Sequence, residues 1–257
     1  MKKRIAGAAL LGAVLFGIAA KSAIRETSTK VRASIDWARG ARQTAQFTPN
    51  EKVLTPADWR GARIYLFSGL HNGPGMWDQP LFRPLVKRLL AGGWQIVIMD
   101  SHETVARYFD DQGVSYCHAL REWIDDTDRR LDRVTPARHR VLFGISFGGY
   151  QAMMATVQLP WVDGYVAISP VTRIQALSEF WFRNNDRCNP FGVSKELSAR
   201  PGFISYGDAD NRVNSALIKD LVEQVRPTTI VYPGQGHEAI EEYLPSLRWL
   251  ADLKLAA

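Results

Sequence analysis

Between Arg140 and Tyr150 the chain reads Arg-Val-Leu-Phe-Gly-Ile-Ser-Phe-Gly-Gly-Tyr. A short apolar run, Val141 to Phe143, passes straight into Gly-x-Ser-x-Gly, and a helical pattern begins at once on the far side. A strand that turns so sharply into a helix needs glycine on either side of the turn. A Cβ at those positions would collide with the neighbouring strand and helix. In that geometry Ser146 stands proud of a sheet, and the backbone N–H of Phe147 is aimed at the same space. A strand–turn–helix unit of this kind belongs inside an α/β layer architecture, so the rest of the chain should alternate accordingly.

It does. From Glu26 to about Arg60 the sequence is polar and irregular, a linker with room for one or two weak edge strands. Arg63 to Phe67 then reads as a buried strand, followed by the glycine-rich loop Ser68-Gly69-Leu70-His71-Asn72-Gly73-Pro74-Gly75. Leu81 to Leu90 is helical in its periodicity, and Trp94 to Met99 is the next strand, closing on Asp100. An amphipathic helix is expected over about 115–134, with Leu120, Trp123, Thr127, Leu131 and Val134 on one stripe. After the central strand and helix come a strand over Val162–Ile168, an irregular insert over about 173–197, a strand over Gly202–Tyr206 and a helix over Asn214–Val225. A last strand over Thr228–Tyr232 and one closing helix over His237–Leu253 complete the pattern. The fold class is α/β: a doubly wound, mainly parallel sheet with helices on both faces, whose ligands belong at the carboxyl ends of the strands. At 257 residues and 46% hydrophobic, the chain can bury one sizeable core.

The charge is unevenly spread. Residues 1–32 carry Lys2, Lys3, Arg4, Lys21, Arg25, Lys30 and Arg32 against Glu26 alone, which accounts for the whole formal charge of +6. The remainder is formally neutral, so no nucleic-acid partner is expected. Lys2-Lys3-Arg4 precede an apolar run from Ile5 to Ala20, which marks residues 1–25 as a signal peptide or an N-terminal membrane anchor, a transmembrane helix in the second case. Ala20 and Ser22 offer a small-residue cleavage site, whereas Lys21 and Arg25 suit an uncleaved anchor. Either way the chain is expected to be exported or membrane-anchored, on the periplasmic or extracytoplasmic side. Cys117 and Cys188 are an even pair, and a disulfide and two unpaired thiols both fit their spacing.

A serine hydroxyl is a poor nucleophile until a base takes its proton, and that base needs a carboxylate to fix its tautomer. Of five histidines, His237 alone sits just past the final strand, while His102, His118 and His139 read as surface or loop residues. Asp208 and Asp210 both lie past the preceding strand, in Gly207-Asp208-Ala209-Asp210-Asn211-Arg212-Val213. The chain order Ser146, aspartate, His237 suits this architecture. No His, Cys, Asp and Glu set has metal spacing, and no loop fits phosphate or a dinucleotide, so neither metal nor cofactor is expected.

These motifs together resemble the α/β-hydrolase superfamily over about residues 60–253. The loop Gly207-x-Ala209-Asp210-x-x-Val213 is similar to the family's acid loop, which favours Asp210 over Asp208. Leu85 to Trp94 resembles the helix and turn leading into the fourth strand of the family sheet. The family usually has His-Gly after its third strand, where this chain has Ser68-Gly69. The resemblance implies a domain over 60–257 with 173–197 as a small cap-like insert, preceded by the leader over 1–25 and a linker over 26–59 that composition and charge mark out. It implies an oxyanion hole from the backbone N–H groups of Leu70 and Phe147. His71 is a candidate substitute prop or substrate contact, and Phe180 and Trp181 of the insert are candidates to line an acyl pocket. Those aromatics could equally pack the insert onto the body. The implied activity is a serine hydrolase cleaving a carboxylic ester or related acyl bond, through Ser146, His237 and Asp210 and an acyl-enzyme. Its partner is a small-molecule or lipid-like acyl substrate, with the membrane as a second partner if the leader is uncleaved. A thioesterase, peptidase or acyltransferase would use the same groups, and a membrane-tethered binding protein could retain the fold without turnover.

Overall fold

The computed structural model describes residues 42–45, 51–69, 73–99, 116–172 and 189–256. Eight strands form one sheet: β1 Arg42–Ala45, β2 Glu51–Thr55, β3 Ala62–Phe67, β4 Trp94–Met99, β5 His139–Ile145, β6 Gly164–Ile168, β7 Gly202–Gly207 and β8 Thr228–Tyr232. Their order across the sheet is β1-β2-β4-β3-β5-β6-β7-β8. β2 runs antiparallel to β1 and β4, and the remaining neighbours are parallel. The helices are α1 Arg83–Ala91, α2 Tyr116–Asp132, α3 Phe147–Gln158, α4 Ser194–Ser198, α5 Ser215–Val225 and α6 Leu244–Ala256, with short 3-10 helices at Pro74–Asp78 and His237–Glu241. They cover both faces of the sheet. That is why β3 and β4 are buried at every position and, past Arg63 and Gln95, read as continuous apolar runs rather than as alternating ones.

The edge strands come from the polar stretch before residue 60. β2 is anchored by Glu51, whose fully buried carboxylate accepts from Trp123 Nε1 at 3.1 Å, Thr127 Oγ1 at 2.6 Å and Arg130 Nη2 at 3.0 Å. Those three groups lie on α2, so a buried charge ties the edge of the sheet to a helix. Register aligns the parallel strands from end to end. Arg63 stands beside Gln95 and Arg140, and Phe67 beside Met99 and Gly144. The carboxyl ends of β3 and β5 therefore finish together, just below Ser146.

Two expectations need correction. The closing helix is not continuous: the 3-10 helix His237–Glu241 ends, and α6 starts afresh at Leu244. Pro245 explains the restart. Its ring has no N–H to give a preceding turn, but it is well suited to the first turn of a new helix. The expected transmembrane helix is also set aside, since among the described residues no helix is long and apolar enough to cross a membrane. The leader on which that expectation rested lies outside the described residues. Cys117, near the start of α2, is disulfide-bonded, and Cys188 lies outside the described residues.

Candidate active site

Ser146 occupies the turn between β5 and α3 with φ 55° and ψ −118°, a left-handed conformation that costs a non-glycine residue about 1–3 kcal/mol. Main-chain bonds hold it there. Its N–H donates to the Ile168 carbonyl at 2.8 Å, and its carbonyl accepts from Gly149 at 3.0 Å and Val171 at 3.1 Å. The flanking glycines are sterically required. A Cβ on Gly144 would lie 1.9 Å from the Gly148 carbonyl oxygen, and one on Gly148 would lie 2.2 Å from that of Phe67. Phe147 opens α3, and its buried ring stacks on Tyr150 with centroids 5.5 Å apart.

The other half of the site is built from the loops after β7 and β8. Asp210 is buried, and both of its oxygens are engaged. Oδ1 accepts from the backbone N–H of Arg212 at 3.0 Å and of Val213 at 3.4 Å. Oδ2 lies 2.8 Å from Nδ1 of His237. With the carboxylate as acceptor, Nδ1–H is the donor across this contact, and in a neutral imidazole that leaves the lone pair on Nε2. Asp208 points elsewhere, and its Oδ1 accepts from Gly234 N–H at 2.6 Å. Asp208 N–H donates to the Tyr232 carbonyl at 3.2 Å, and Ala209 N–H to that of Gln235 at 2.9 Å. The two loops are thus stitched together by main-chain bonds, with Asp208 as a clamp and Asp210 bonded to the imidazole.

Ser146 and His237 line one cavity of about 360 Å³, at the small end of ligand-site volumes. The rest of its wall is largely apolar, including Met76, Phe82, Val171 and Ile240, with Gln79 and Arg212 as the polar exceptions. A larger groove of about 650 Å³ between α1 and α6 is lined by Leu89, Leu244, Leu247 and Leu250 together with Trp94, Arg88 and Arg248, and neither Ser146 nor His237 is among its lining residues. Leu70, His71, Phe180 and Trp181 lie outside the described residues, as do Asp100 and His102. The remaining histidines stand apart from this cavity. His139 begins β5, at the end of the strand away from Ser146, with Nδ1 3.6 Å from Asp163, and His118 lies on α2. No group of His, Cys, Asp and Glu able to hold a metal ion occurs among the described residues.

Three residues flanking the cavity are absent from the sequence-based set of substrate contacts, which was drawn from the insert and from His71. Arg212 lies only two residues after Asp210, and Gln79 and Phe82 follow the glycine-rich loop. For Arg212 the available signal was adjacency to Asp210 on one loop; Gln79 and Phe82 carry no such signal.

No family model matches the chain, and no curated protein matches it. Solved structures do. A carbohydrate esterase from gut microbiota is 15% identical, with 83% of this chain and 93% of that one covered and a TM-score of 0.57. A carboxylesterase from the ammonia-oxidizing thaumarchaeon Nitrososphaera gargenis is 20% identical over 82% and 98%, with a TM-score of 0.53. A CIB-like hydrolase from Thermoplasma acidophilum is 21% identical over 81% and 95%, with a TM-score of 0.52. With the strand order described above, the chain has the α/β-hydrolase fold.

Proposed function

We propose that the chain is a serine hydrolase that cleaves a carboxylic ester through a covalent acyl-enzyme. The observation that carries this reading is the 2.8 Å contact between His237 Nδ1 and buried Asp210, made at the wall of a cavity that Ser146 also lines. Ser146 Oγ attacks the ester carbonyl while His237 Nε2 takes its proton. The tetrahedral adduct collapses by expelling the alcohol, which leaves with the proton held on His237. Water then attacks the acyl-enzyme, again giving its proton to His237, and the acid departs as Ser146 Oγ takes the proton back. Asp210 holds the imidazole in the Nδ1–H tautomer and steadies the imidazolium. The developing oxyanion is received by the N–H of Phe147, at the positive end of the α3 dipole; the family resemblance assigns the second donor to the N–H of Leu70, which lies outside the described residues. Such donors contribute about 3–4 kcal/mol each.

The choice of an ester over a thioester or amide is supported by the esterases among the similar structures. The disulfide at Cys117, with the apolar run after Lys2-Lys3-Arg4, supports export to an oxidising compartment. Recovery of the chain from the extracytoplasmic fraction, with Cys117 alkylated only after reduction, checks that assignment. The catalytic reading is tested by fluorophosphonate labelling of the full chain beside Ser146→Ala and His237→Ala. Labelling should vanish in the first variant and slow by at least roughly a thousandfold in the second. Folded wild type that neither labels nor hydrolyses short-chain aryl esters would refute it.

A further inference from the structure

We propose that Arg212 selects substrates carrying an anionic group, a carboxylate in the first instance, a few bonds from the scissile carbonyl. This inference deepens the serine-hydrolase reading and rests on it. Arg212 is the one arginine or lysine among the described residues lining the cavity that holds Ser146 and His237. Its backbone is fixed, because its N–H is spent on Asp210 Oδ1. The side chain therefore starts from a position set by the same loop that orients the imidazole.

The guanidinium has no ion-pair partner among the described residues. Asp210 turns its other oxygen to His237, and Asp208 is occupied by Gly234. Glu238 feels the Arg212 charge, yet its carboxylate folds back onto the Gly236 N–H at 2.7 Å. The interior guanidinium groups are matched, Arg63 and Arg140 by Asp128 and Asp132; Arg212 is exposed, like Arg88 and Arg248, which also have no ion-pair partner among the described residues. Arg212 is set apart from those two by its place on the wall of the mainly apolar cavity that Ser146 and His237 also line. Its planar fork of donors suits a carboxylate, which it can grip with two parallel bonds. The apolar walls would hold the intervening carbons.

The test uses matched substrates on the full chain. On the acyl side, the 4-nitrophenyl hemiester of glutaric acid is compared with 4-nitrophenyl valerate. On the alcohol side, 4-acetoxybenzoate is compared with 4-acetoxybenzamide. In at least one pair, wild type should favour the anionic member in kcat/KM by about 10-fold, and the preference should shrink with added salt. Arg212→Gln should abolish that ratio, Arg212→Lys should retain part of it, and the arm that responds identifies the side that bears the charge. The loss should appear mainly in KM. Fluorophosphonate labelling of Ser146 runs alongside. Labelling and turnover of the neutral esters with no anionic preference in either wild-type pair, or a ratio unchanged in Arg212→Gln, would overturn this inference alone. Absence of labelling in wild type would overturn the hydrolase reading and this inference with it.

Discussion

Asp128 accepts from two guanidinium groups in the interior, so its removal should cost far more than the loss of a surface ion pair. Arg63, a wholly buried side chain on β3, donates from Nη1 to Asp128 Oδ1 at 2.6 Å, and Arg140 Nε reaches both oxygens, at 3.0 and 2.9 Å. Tyr65 OH bonds to the same Oδ1. With Asp132, which contacts both arginines, the cluster holds two cations and two anions. Asp128→Ala leaves one anion to two cations. Breaking such a buried pair by removing one partner costs about 3–5 kcal/mol. The low end applies here, because Arg63 keeps Asp132 at 2.9 Å and Gln95 Oε1 at 2.6 Å. At about 2–4 °C per kcal/mol for a domain of this size, Tm should fall by roughly 6–12 °C. Urea unfolding followed by circular dichroism measures the free energy, and calorimetry measures Tm. Adding Arg63→Met to the variant should recover part of the loss, since it removes the unmatched charge. A single variant less than about 1 kcal/mol weaker, with no recovery in the double, would refute the claim that charge matching governs this cluster.

Two further outcomes follow from the site and the core. Asp210→Asn should lower kcat by about 10³–10⁴, because the wrong imidazole tautomer is favoured, whereas Asp208→Asn should cost only about 10-fold through a looser His237 loop. Steady-state kinetics on one neutral ester compares them, and equal losses would contradict the division of labour between the two carboxylates. The second outcome concerns alkali. Burial pushes the phenols of Tyr65, Tyr116, Tyr150 and Tyr165 well above the ordinary tyrosine value. In the unfolded chain they release protons near pH 10, so unfolding becomes more favourable as pH rises past about that value, while stability below it is unaffected by them. Spectrophotometric titration should show these four tyrosines ionising together with loss of structure, rather than as independent groups in a native protein.

What the sequence revealed and what it hid divide along physical lines. Strand and helix positions were legible because Ile64–Phe67, Ile96–Met99 and Val141–Phe143 are unbroken apolar runs within β3, β4 and β5. The turn at Ser146 was legible because only glycine fits at 144 and 148. Arg63 hid in the same strands: as the first residue of an apolar run it reads as a flank, and nothing local reveals that Asp128, Asp132 and Gln95 will converge on it. That convergence is a long-range fact, set by the pairing of β3 with β4 and β5 and by the packing of α2. The break between His237–Glu241 and α6 was signalled by Pro245, but the continuing apolar pattern overrode it. Asp208 and Asp210 could be told apart by resemblance only, since each sits on the same loop with a carboxylate to offer. Their contacts differ in the fold: Asp208 Oδ1 accepts from the Gly234 N–H, and Asp210 Oδ2 lies 2.8 Å from His237 Nδ1.

The polar groups of the sheet are sorted by strand end, and that sorting bears on how the site is held. At the amino ends of β3, β4 and β5, Arg63, Gln95 and Arg140 stand in register and are joined through side chains to α2 and the turn after it. At the carboxyl ends main-chain bonds carry most of the joints, Ser146 to Ile168 and Val171, Asp208 to Tyr232 and Ala209 to Gln235, and the Asp208 carboxylate adds a side-chain joint to the Gly234 N–H outside the cavity wall. Main-chain bonds leave the side chains of Ser146, His237 and Arg212 to face the cavity, which side-chain joints could not do. The strained Ser146 backbone can persist only while β5 and β6 stay aligned, because its N–H and carbonyl are both bonded to the end of β6 or the residues just beyond it. The ion cluster fixes β3, β4 and β5 at their far ends without occupying the site. Loosening it should therefore lower stability first and alter the kinetics of the folded fraction little.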